Sequence, residues 1–303
     1  MMVAGLKGIL PVLPTPFLAN GGIDEAGMKR LVAFALEKGV DGVVFPGFAS
    51  EVESLTAEER AVLLKIVVDT VGGRAPVVAG ASAADWREVV EHGKVASALG
   101  IRHLMVQPPK AVGTDGPALI DFLGKVIEAL PGIEIILQNA PAPRGSDLSP
   151  QAIVEIVQAL PQVTYVKEET LPAGPAISHI IAQAPSTLKG VIGGGGARYI
   201  LDEYARGATA AMPALEIAEE HVAIDRALNA GRSEDARRIY VRTLPLLVLQ
   251  AVYRMRLTKY VLARRGVIDG IGVRAPTPEL DSAAIADIDA NLVELGLITP
   301  EAA

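Results

Sequence analysis

The stretch Thr164-Tyr165-Val166-Lys167-Glu168-Glu169 decides what the chain can fold into and what chemistry it can support. Its β-branched and aromatic residues are typical of a strand, which would place one lysine near the strand's carboxyl end. Because alternate side chains of a strand share a face, we expect Lys167 and Glu169 to point one way and Glu168 the other.

A lysine beside a carboxylate has two interpretations. If their common face looks into a closed barrel, the amine loses hydration, its pKa falls, and its neutral form can attack a ketone to make a Schiff base. Alternatively, the lysine pairs with neighbouring glutamates on a solvated strand end. The hexapeptide alone favours the second interpretation, and the remaining chain reverses that preference.

A strand followed by a helix recurs along the chain up to about Pro213. Each strand is a short β-branched run that ends in Gly, Pro or Ser, and the segments between have helical periodicity. Eight such units are the number that closes a parallel (β/α)8 barrel, so we predict an α/β fold of this TIM-barrel type. The predicted strands are Gly8–Leu13, Gly42–Phe45, Val77–Ala81, His103–Gln107, Glu134–Gln138, Thr164–Glu169, Lys189–Ile192 and Ala208–Met212.

An open doubly wound sheet is the alternative, and it usually carries a glycine-rich phosphate loop after its first strand. Here the first strand is followed by Leu13-Pro14-Thr15-Pro16-Phe17, whose prolines argue against that loop. After Met212-Pro213 the pattern changes to helices alone, which we predict at Leu215–Ala230, Ser233–Tyr253, Leu257–Arg265 and Asp281–Leu295. We therefore predict a barrel over residues 1–214 and a C-terminal helical region over residues 215–303.

The composition limits the classes of function. The chain has 303 residues, half of them hydrophobic and 21% charged, which suits one barrel with a substantial core. A net charge of -7 without a basic run predicts no nucleic-acid partner. The absence of cysteine removes disulfides, thiolate catalysis and cysteine metal sites.

The remaining signals predict neither a metal nor a cofactor, and no membrane partner. The four histidines lack metal-ligand spacing, and we expect each at the surface or in helix packing. Met1–Leu10 lacks the features of a signal peptide, and the most apolar stretch, Leu244–Val252, is shorter than the roughly 20 residues that span a bilayer. We expect a cytoplasmic protein. The histidines are His92, His103, His179 and His221.

In a (β/α)8 barrel the chemistry lies at the carboxyl ends of the strands. Lys7 and Lys189 lie at the amino ends of their strands, so neither reaches that face. Lys110 could reach it, but its proline-rich loop would leave the amine in water and protonated. Lys167 is therefore the predicted nucleophile.

Several motifs, by their order and spacing over nearly the whole chain, resemble those of the dihydrodipicolinate synthase and N-acetylneuraminate lyase superfamily. The resemblance implies a Schiff-base (β/α)8 barrel in which Lys167 is the imine-forming lysine, and it implies a homotetramer. The motifs are Thr15-Pro16-Phe17, Gly47 to Glu51 with Leu55-Thr56 and Glu58-Glu59-Arg60, Lys167, and Thr258-Lys259 with Gly266 and Val273-Arg274.

The departures from the synthase pattern point to a different reaction. Gln138 stands where the family has a tyrosine, and Phe48-Ala49 and Lys110 replace two other relay hydroxyls. The synthase arginine is replaced by Pro143, with Arg144 one residue later. These losses argue against the synthase reaction and weaken a neuraminate lyase interpretation.

One branch, the 2-keto-3-deoxy-L-arabonate dehydratases, is similar at these positions. The resemblance rests on Ser50-Glu51, Gln138-Asn139-Ala140-Pro141 and Lys167-Glu168-Glu169. Asn139 stands where that branch has Asp, and Lys110 stands where a tyrosine is expected. The resemblance implies a lyase that dehydrates a 2-keto-3-deoxy sugar acid.

Without the tyrosine, another group must carry the proton. Glu169 shares the face of Lys167 about 7 Å along the strand, and near an apolar wall its pKa can be raised so that it switches between acid and base. A structural ion pair with Lys110 or Arg144 is the alternative. Gln138 cannot titrate, so we assign it the orientation of a substrate hydroxyl or a water.

The remaining strand ends supply the expected substrate-binding residues. Ser50 and the backbone N–H groups of Phe48 and Ala49 would hold the substrate C1 carboxylate, although Phe48 can equally pack over the barrel mouth. We expect Glu51 to be a structural carboxylate that accepts N–H groups of its own loop. Close approach of substrate to backbone explains the glycines after strand seven better than phosphate binding does. We expect further substrate contacts at Asn139, Gly193, Gly194 and Met212.

Two alternatives to the dehydratase stay open. One is an aldolase that cleaves the C3–C4 bond and releases pyruvate. The other is a dihydrodipicolinate synthase-like paralogue that binds a 2-keto acid without the synthase reaction, which the loss of three relay hydroxyls suggests.

Overall fold

The computed structural model describes residues 5–299. Residues 1–4 and 300–303, the ends of the two predicted regions and the start of Met1–Leu10, lie outside that range. Strands alternate with helices, as predicted. The strands are β1 Gly8–Ile9, β2 Val43–Phe45, β3 Val77–Gly80, β4 His103–Val106, β5 Glu134–Asn139, β6 Val163–Glu168, β7 Gly190–Gly193 and β8 Ala210–Ala211.

Ten α-helices lie within residues 5–299. Five helices have Asp, Ser or Thr side chains that accept a first-turn N–H and cap the helix start, as at Asp24 and Ser149. The helices are α1 Glu25–Glu37, α2 Ala57–Val71, α3 Trp86–Ala98, α4 Gly116–Ala129, α5 Pro150–Ala159, α6 Ala173–Gln183, α7 Ile200–Ala205, α8 Ala218–Asn229, α9 Ser233–Arg264 and α10 Ser282–Glu294.

Contacts within the chain divide it into two compact units. The first contains the described residues up to Leu10, together with Pro76–Gly195 and Tyr199–Met212. The second contains Pro11–Ala75, Gly196–Arg198 and the chain from Pro213 onward. The predicted division at residue 214 separates strand-bearing from helical sequence and stays a prediction.

The first unit contains a parallel sheet in the order β1-β8-β7-β6-β5-β4-β3. Gly8 of β1 pairs with Ala210 of β8, so the first strand lies beside the last, which is the pairing that closes a barrel. In the centre, Gln138 of β5 pairs with Lys167 of β6, which in turn pairs with Ile192 of β7. This register brings the ends of β5, β6 and β7 to one edge.

Strands β1 and β8 are shorter than predicted, although hydrogen bonds between the two predicted runs continue past their ends. The backbone N–H of Leu10 donates to the carbonyl of Ala211. Beyond Pro11, the N–H of Val12 donates to the carbonyl of Pro213. The predicted runs therefore continue as extended chain beyond the two-residue strands.

The second unit contains β2 and the C-terminal helices. The predicted helices Ser233–Tyr253 and Leu257–Arg265 form the single helix α9, which is broken at Arg254 (φ 51, ψ -126). The two halves of α9 and α10 bury one apolar cluster that includes Leu246, Leu257 and Ile288. No helix between residues 5 and 299 combines the length and apolar character needed to cross a membrane.

Candidate active site

Lys167 and Glu169 lie together at the carboxyl end of β6 in the first unit. The Lys167 Nζ is 3.0 Å from Glu169 Oε1, and the two side chains are only 4% and 8% exposed. The sequence prediction that both occupy one face is met by this contact. A solvated strand end is therefore wrong for this pair, because its side chains are withdrawn from water.

The second oxygen of the Glu169 carboxylate has two further donors. Arg144 Nη2 lies 2.8 Å from Glu169 Oε2, and Gln138 Nε2 donates to the same oxygen at 3.0 Å. Gln138 is nearly buried and sits beside Lys167 across the β5–β6 ladder. The ion pair with Arg144, which was the alternative weighed for Glu169, is therefore present together with the contact to Lys167.

The direction of the Glu169 pKa differs from the sequence expectation. Burial alone would raise that pKa, but the charges of Lys167 and Arg144 and the hydrogen bond from Gln138 outweigh burial and lower it to about 2. Glu169 is therefore an anion at neutral pH. The expectation of a raised pKa was wrong because a sequence does not reveal how many cations converge on one carboxylate.

Glu168 lies on the opposite face of β6, as the strand alternation predicts. Its carboxylate accepts two contacts from Asn139 Nδ2, at 3.1 and 3.0 Å, and one from the backbone N–H of Thr170. Burial nevertheless raises the pKa of Glu168 to about 7. Asn139 also exchanges hydrogen bonds with the Leu148 backbone, so its amide holds the β5 loop and faces away from Lys167.

The predicted glycines after β7 face two different glutamates. A β-carbon on Gly194 would lie 2.4 Å from Glu169 Cγ, whereas one on Gly193 would lie 2.0 Å from Glu203 Oε2. Gly194 therefore adjoins the Lys167 group, and Gly193 faces the outer side of the sheet. Met212 is buried, and its N–H donates to the Gly193 carbonyl.

Glu203, on α7, is a buried acid that sequence analysis missed. The Gly194 N–H donates to its carboxyl, and burial together with the nearby charge of Glu169 raises its pKa to about 8. Its Oε2 is buried and has no hydrogen-bond partner among residues 5–299. The only sequence signal is that residue 193 is glycine, which leaves room for a carboxyl group.

The predicted carboxylate-binding loop belongs to the second unit. Phe48–Ser50 forms a turn of 3-10 helix, and the Ser50 hydroxyl donates to the Leu13 carbonyl and accepts the Gly47 N–H. Ser50 is fully buried, so its hydroxyl serves the loop itself. Phe48 and Ala49 are half-buried, and the Arg254 guanidinium lies 5.4 Å from the Phe48 ring centroid.

Glu51, which ends that loop, is a structural carboxylate, as expected. It adopts a left-handed conformation (φ 58), and Lys259 Nζ donates to its Oε1. The Oε2 accepts backbone N–H groups of Arg274 and Ala275. All three donors belong to the C-terminal segment, whereas the sequence predicted donors from the loop itself.

Lys110 and the histidines lie apart from the contacts of Glu169 described above. Lys110 is exposed. His103 and His221 are buried, and His103 begins β4, so the expectation of a surface or helical position was wrong for that residue. Among residues 5–299 no three His, Asp or Glu side chains group closely enough to hold a metal ion.

Comparisons with known proteins agree with this architecture. The Dihydrodipicolinate synthetase family model matches residues 5–294. The chain is 32% identical over 278 residues to L-2-keto-3-deoxyarabonate dehydratase of Azospirillum brasilense, covering 90% of this chain and 89% of that protein. It is 28% identical over 300 residues to 4-hydroxy-tetrahydrodipicolinate synthase of Chloroherpeton thalassium, covering 98% of both.

A solved structure extends the comparison to the fold. Dihydrodipicolinate synthase from Rhodopseudomonas palustris superposes with a TM-score of 0.88 at 24% identity, covering 95% of this chain and 97% of that one. The predicted (β/α)8 barrel with C-terminal helices is thereby confirmed. With the family model matched from residue 5 to residue 294, the chain belongs to the Dihydrodipicolinate synthetase family.

Proposed function

We propose that this protein is a lyase that forms a Schiff base between Lys167 and a 2-keto-3-deoxy sugar acid and then removes water from it. The observation that carries the proposal is the buried contact of 3.0 Å between Lys167 Nζ and Glu169 Oε1. It sets an amine beside a carboxylate, and such a pair can form an iminium ion and move a proton near it.

The substrate class is supported by a relative. The A. brasilense protein that is 32% identical over most of both chains is named for a 2-keto-3-deoxy sugar acid, L-2-keto-3-deoxyarabonate, and for its dehydration. Gln138 in place of the synthase tyrosine fits the same branch. A further support is that Arg144 is already paired with Glu169, whereas the synthase arginine serves a second substrate carboxylate.

The Lys167–Glu169 pair holds the amine and one proton. The amine attacks the C2 ketone of the acid, the proton is transferred to the resulting hydroxyl, and water leaves to give an iminium cation. Glu169 stabilises this cation because its carboxylate is ionised and in contact with the lysine nitrogen. The cation withdraws electrons and acidifies the C3 hydrogens. Loss of one C3 proton gives a neutral enamine.

Glu169 is the proposed acceptor of the C3 proton. The transfer neutralises the carboxylate and the iminium together, which removes the contribution of the lysine charge to the low pKa of Glu169. Protonated Glu169 then gives its proton to the C4 hydroxyl, which departs as water when the enamine electrons return and leaves a C3–C4 double bond. For a pentonate, a C5 hydrogen moves to C3 and the resulting C4–C5 enol tautomerises to the aldehyde, and hydrolysis of the imine by one water then releases the semialdehyde of the keto acid and regenerates Lys167.

Four of the remaining sequence-predicted residues keep their proposed roles within this reaction. Gln138 orients a substrate hydroxyl or water next to Glu169, and Gly194 allows close approach at the end of β7. We also propose that Phe48 and Ala49 present N–H groups to the substrate C1 carboxylate. For Asn139, Ser50, Gly193 and Met212, contacts with neighbouring protein groups support a role in holding the site's framework.

Product analysis tests the reaction type. Purified protein is incubated with 2-keto-3-deoxy pentonates and hexonates, and products are identified by mass spectrometry, with lactate dehydrogenase added in parallel to register pyruvate. We expect a product lighter than its substrate by one water, and no pyruvate. Pyruvate without water loss would instead identify an aldolase, and no turnover of any acid would leave a binding paralogue.

A further inference from the structure

We infer that Arg144 is a positioning residue that acts through Glu169: its charge keeps Glu169 a strong acid while the lysine nitrogen is neutral, and so favours dehydration over cleavage of the C3–C4 bond. This inference rests on the proposed function. It assigns a role to a residue that is one position away from the arginine of the synthase pattern.

The geometry separates the two oxygens of the carboxylate. Oε1 faces Lys167 at 3.0 Å, and Oε2 receives Arg144 Nη2 at 2.8 Å. The arginine side chain is 26% exposed against 8% for the carboxylate. Arg144 therefore approaches Glu169 from the more exposed side, at the oxygen that does not contact Lys167.

The backbone of Arg144 is anchored independently of its guanidinium. Gln107 Nε2 donates to the Arg144 carbonyl at 2.9 Å, and the Gln107 N–H donates to the Ser82 hydroxyl at 2.9 Å. Two residues on, the Ser146 hydroxyl donates to the Pro108 carbonyl. The loop after β5 is thus tied to the end of β4, which fixes where the guanidinium starts.

Five groups act on the Glu169 charge. Lys167 and Arg144 favour the anion by their charges, and Gln138 favours it by a hydrogen bond. Glu168 and Glu203 face the same region from the outer side and interact unfavourably with it when ionised. Arg144 and Lys167 are thus the two cations that hold Glu169 ionised against burial.

Those two cations behave differently during the reaction. The lysine nitrogen is positive as ammonium and as iminium, but it is neutral when it attacks the ketone and again in the enamine. Arg144 stays charged throughout because a guanidinium does not deprotonate in proteins. In the enamine it is therefore the cation that remains beside Glu169.

The consequence is a choice between two reactions of one iminium ion. Loss of a C3 proton, which the iminium acidifies, leads to dehydration, and the C4 hydroxyl then needs an acid in order to leave as water. Aldol cleavage instead needs a base strong enough to remove the C4 hydroxyl proton, which the iminium does not acidify by resonance. A cation at 2.8 Å makes protonated Glu169 a stronger acid and its anion a weaker base. The Arg144–Glu169 pair thereby supports elimination of water.

The test compares Arg144→Met, which removes the charge, with Arg144→Lys, which keeps a cation on a similar stem. Loss of the cation raises the pKa of Glu169, so the acid limb of kcat/KM for dehydration should move to higher pH by about one to two pH units in R144M. The limb should stay near its wild-type position in R144K. Circular dichroism confirms that both variants are folded.

A second readout separates this inference from the proposed function. Borohydride trapping of pyruvate reports imine formation alone, and we expect R144M to retain it. Its dehydration rate at pH 6 should fall at least tenfold, because protonated Glu169 without the cation is a weaker acid toward the C4 hydroxyl. Failure of the wild type to trap pyruvate would defeat the proposed function. Trapping by the wild type, with superimposable pH profiles of wild type and R144M, would overturn the inference alone.

Discussion

At the residue scale, the site depends on which small residues leave room for charged ones. Gly194 is the clearest example, because a β-carbon there would lie 2.4 Å from Glu169 Cγ and 2.6 Å from its Oε1. Such distances force the carboxylate to move. The absence of a side chain at Gly194 therefore helps to determine the position of Glu169, together with the hydrogen bonds of the carboxylate.

We predict that Gly194→Ala lowers kcat by about 10²-fold or more, because a displacement of about 1 Å of a proton-transfer group costs roughly that factor. Steady-state assay of dehydration measures it. Gly124→Ala on α4 is the matched control, since a β-carbon there meets nothing within 4 Å, and it should leave kcat unchanged. Equal activity of G194A and G124A would show that the Glu169 position is not critical.

Residue identities could be predicted where periodicity and chemistry coincide. The alternation along Thr164–Glu169 placed Lys167 with Glu169 and Glu168 opposite, because a strand fixes that pattern locally. The pKa of Glu169 could not be predicted, since it depends on Arg144, which arrives from another strand's loop. Glu203 was missed for the same reason, as its surroundings come from β7 and not from its own helix.

At the element scale, α7 and β7 hold an acid that is protonated at neutral pH. The pKa of Glu203 is about 8 in the folded protein against 4.5 for an ordinary glutamate. The folded state therefore keeps a proton that the unfolded chain has released. The stabilisation from this group is complete below pH 4.5 and is lost as the pH rises to about 8.

We predict that Glu203→Gln, which mimics the protonated acid, removes part of the loss of stability between pH 6 and pH 8. Urea unfolding at both pH values should show E203Q gaining on the wild type at pH 8 relative to pH 6. Exposed Glu88→Gln on α3 serves as the control and should follow the wild type. A variant whose stability changes with pH as much as the wild type's would contradict the assignment of the proton to Glu203.

The elements themselves were largely predictable, and their exact ends were not. The sequence located all eight strands because β-branched runs ending in turn residues recur at regular spacing. It overestimated β1 and β8, whose predicted runs continue as hydrogen-bonded extended chain beyond the two-residue strands. It predicted two helices where the structure has the single helix α9. The predicted break between Tyr253 and Leu257 coincides with Arg254, whose unusual backbone conformation separates the two halves of α9.

At the scale of the whole molecule, helix α9 exposes a row of valines. Val241, Val248 and Val252 are 53%, 59% and 52% exposed. Their spacings of seven and four place them on one helix face. Large exposed apolar patches mark protein–protein contacts, and we predict that this row lies in a contact of the homotetramer that the family resemblance implies.

We predict that Val248→Glu weakens the assembly, because a carboxylate in an apolar contact loses its hydration without a partner. Light scattering should give a tetramer for the wild type and a smaller mass for V248E. Val62→Glu, at a similarly exposed valine on α2, should keep the wild-type mass. A monomeric wild type would contradict the tetramer, and an unchanged V248E mass would remove this stripe from the contact.

The fold class could be predicted from sequence because eight strand–helix units admit few closed arrangements. The substrate could not, because hydroxyl recognition depends on distances between side chains of different strands.

Borohydride reduction in the presence of pyruvate tests the role of Lys167 most directly. Mass spectrometry should show one stable pyruvate adduct on the wild type, the same adduct on Lys110→Ala, whose lysine is exposed in the loop after β4, and none on Lys167→Ala. Equal labelling of K167A and the wild type, or a wild type that acquires no adduct, would contradict Schiff-base chemistry at this lysine.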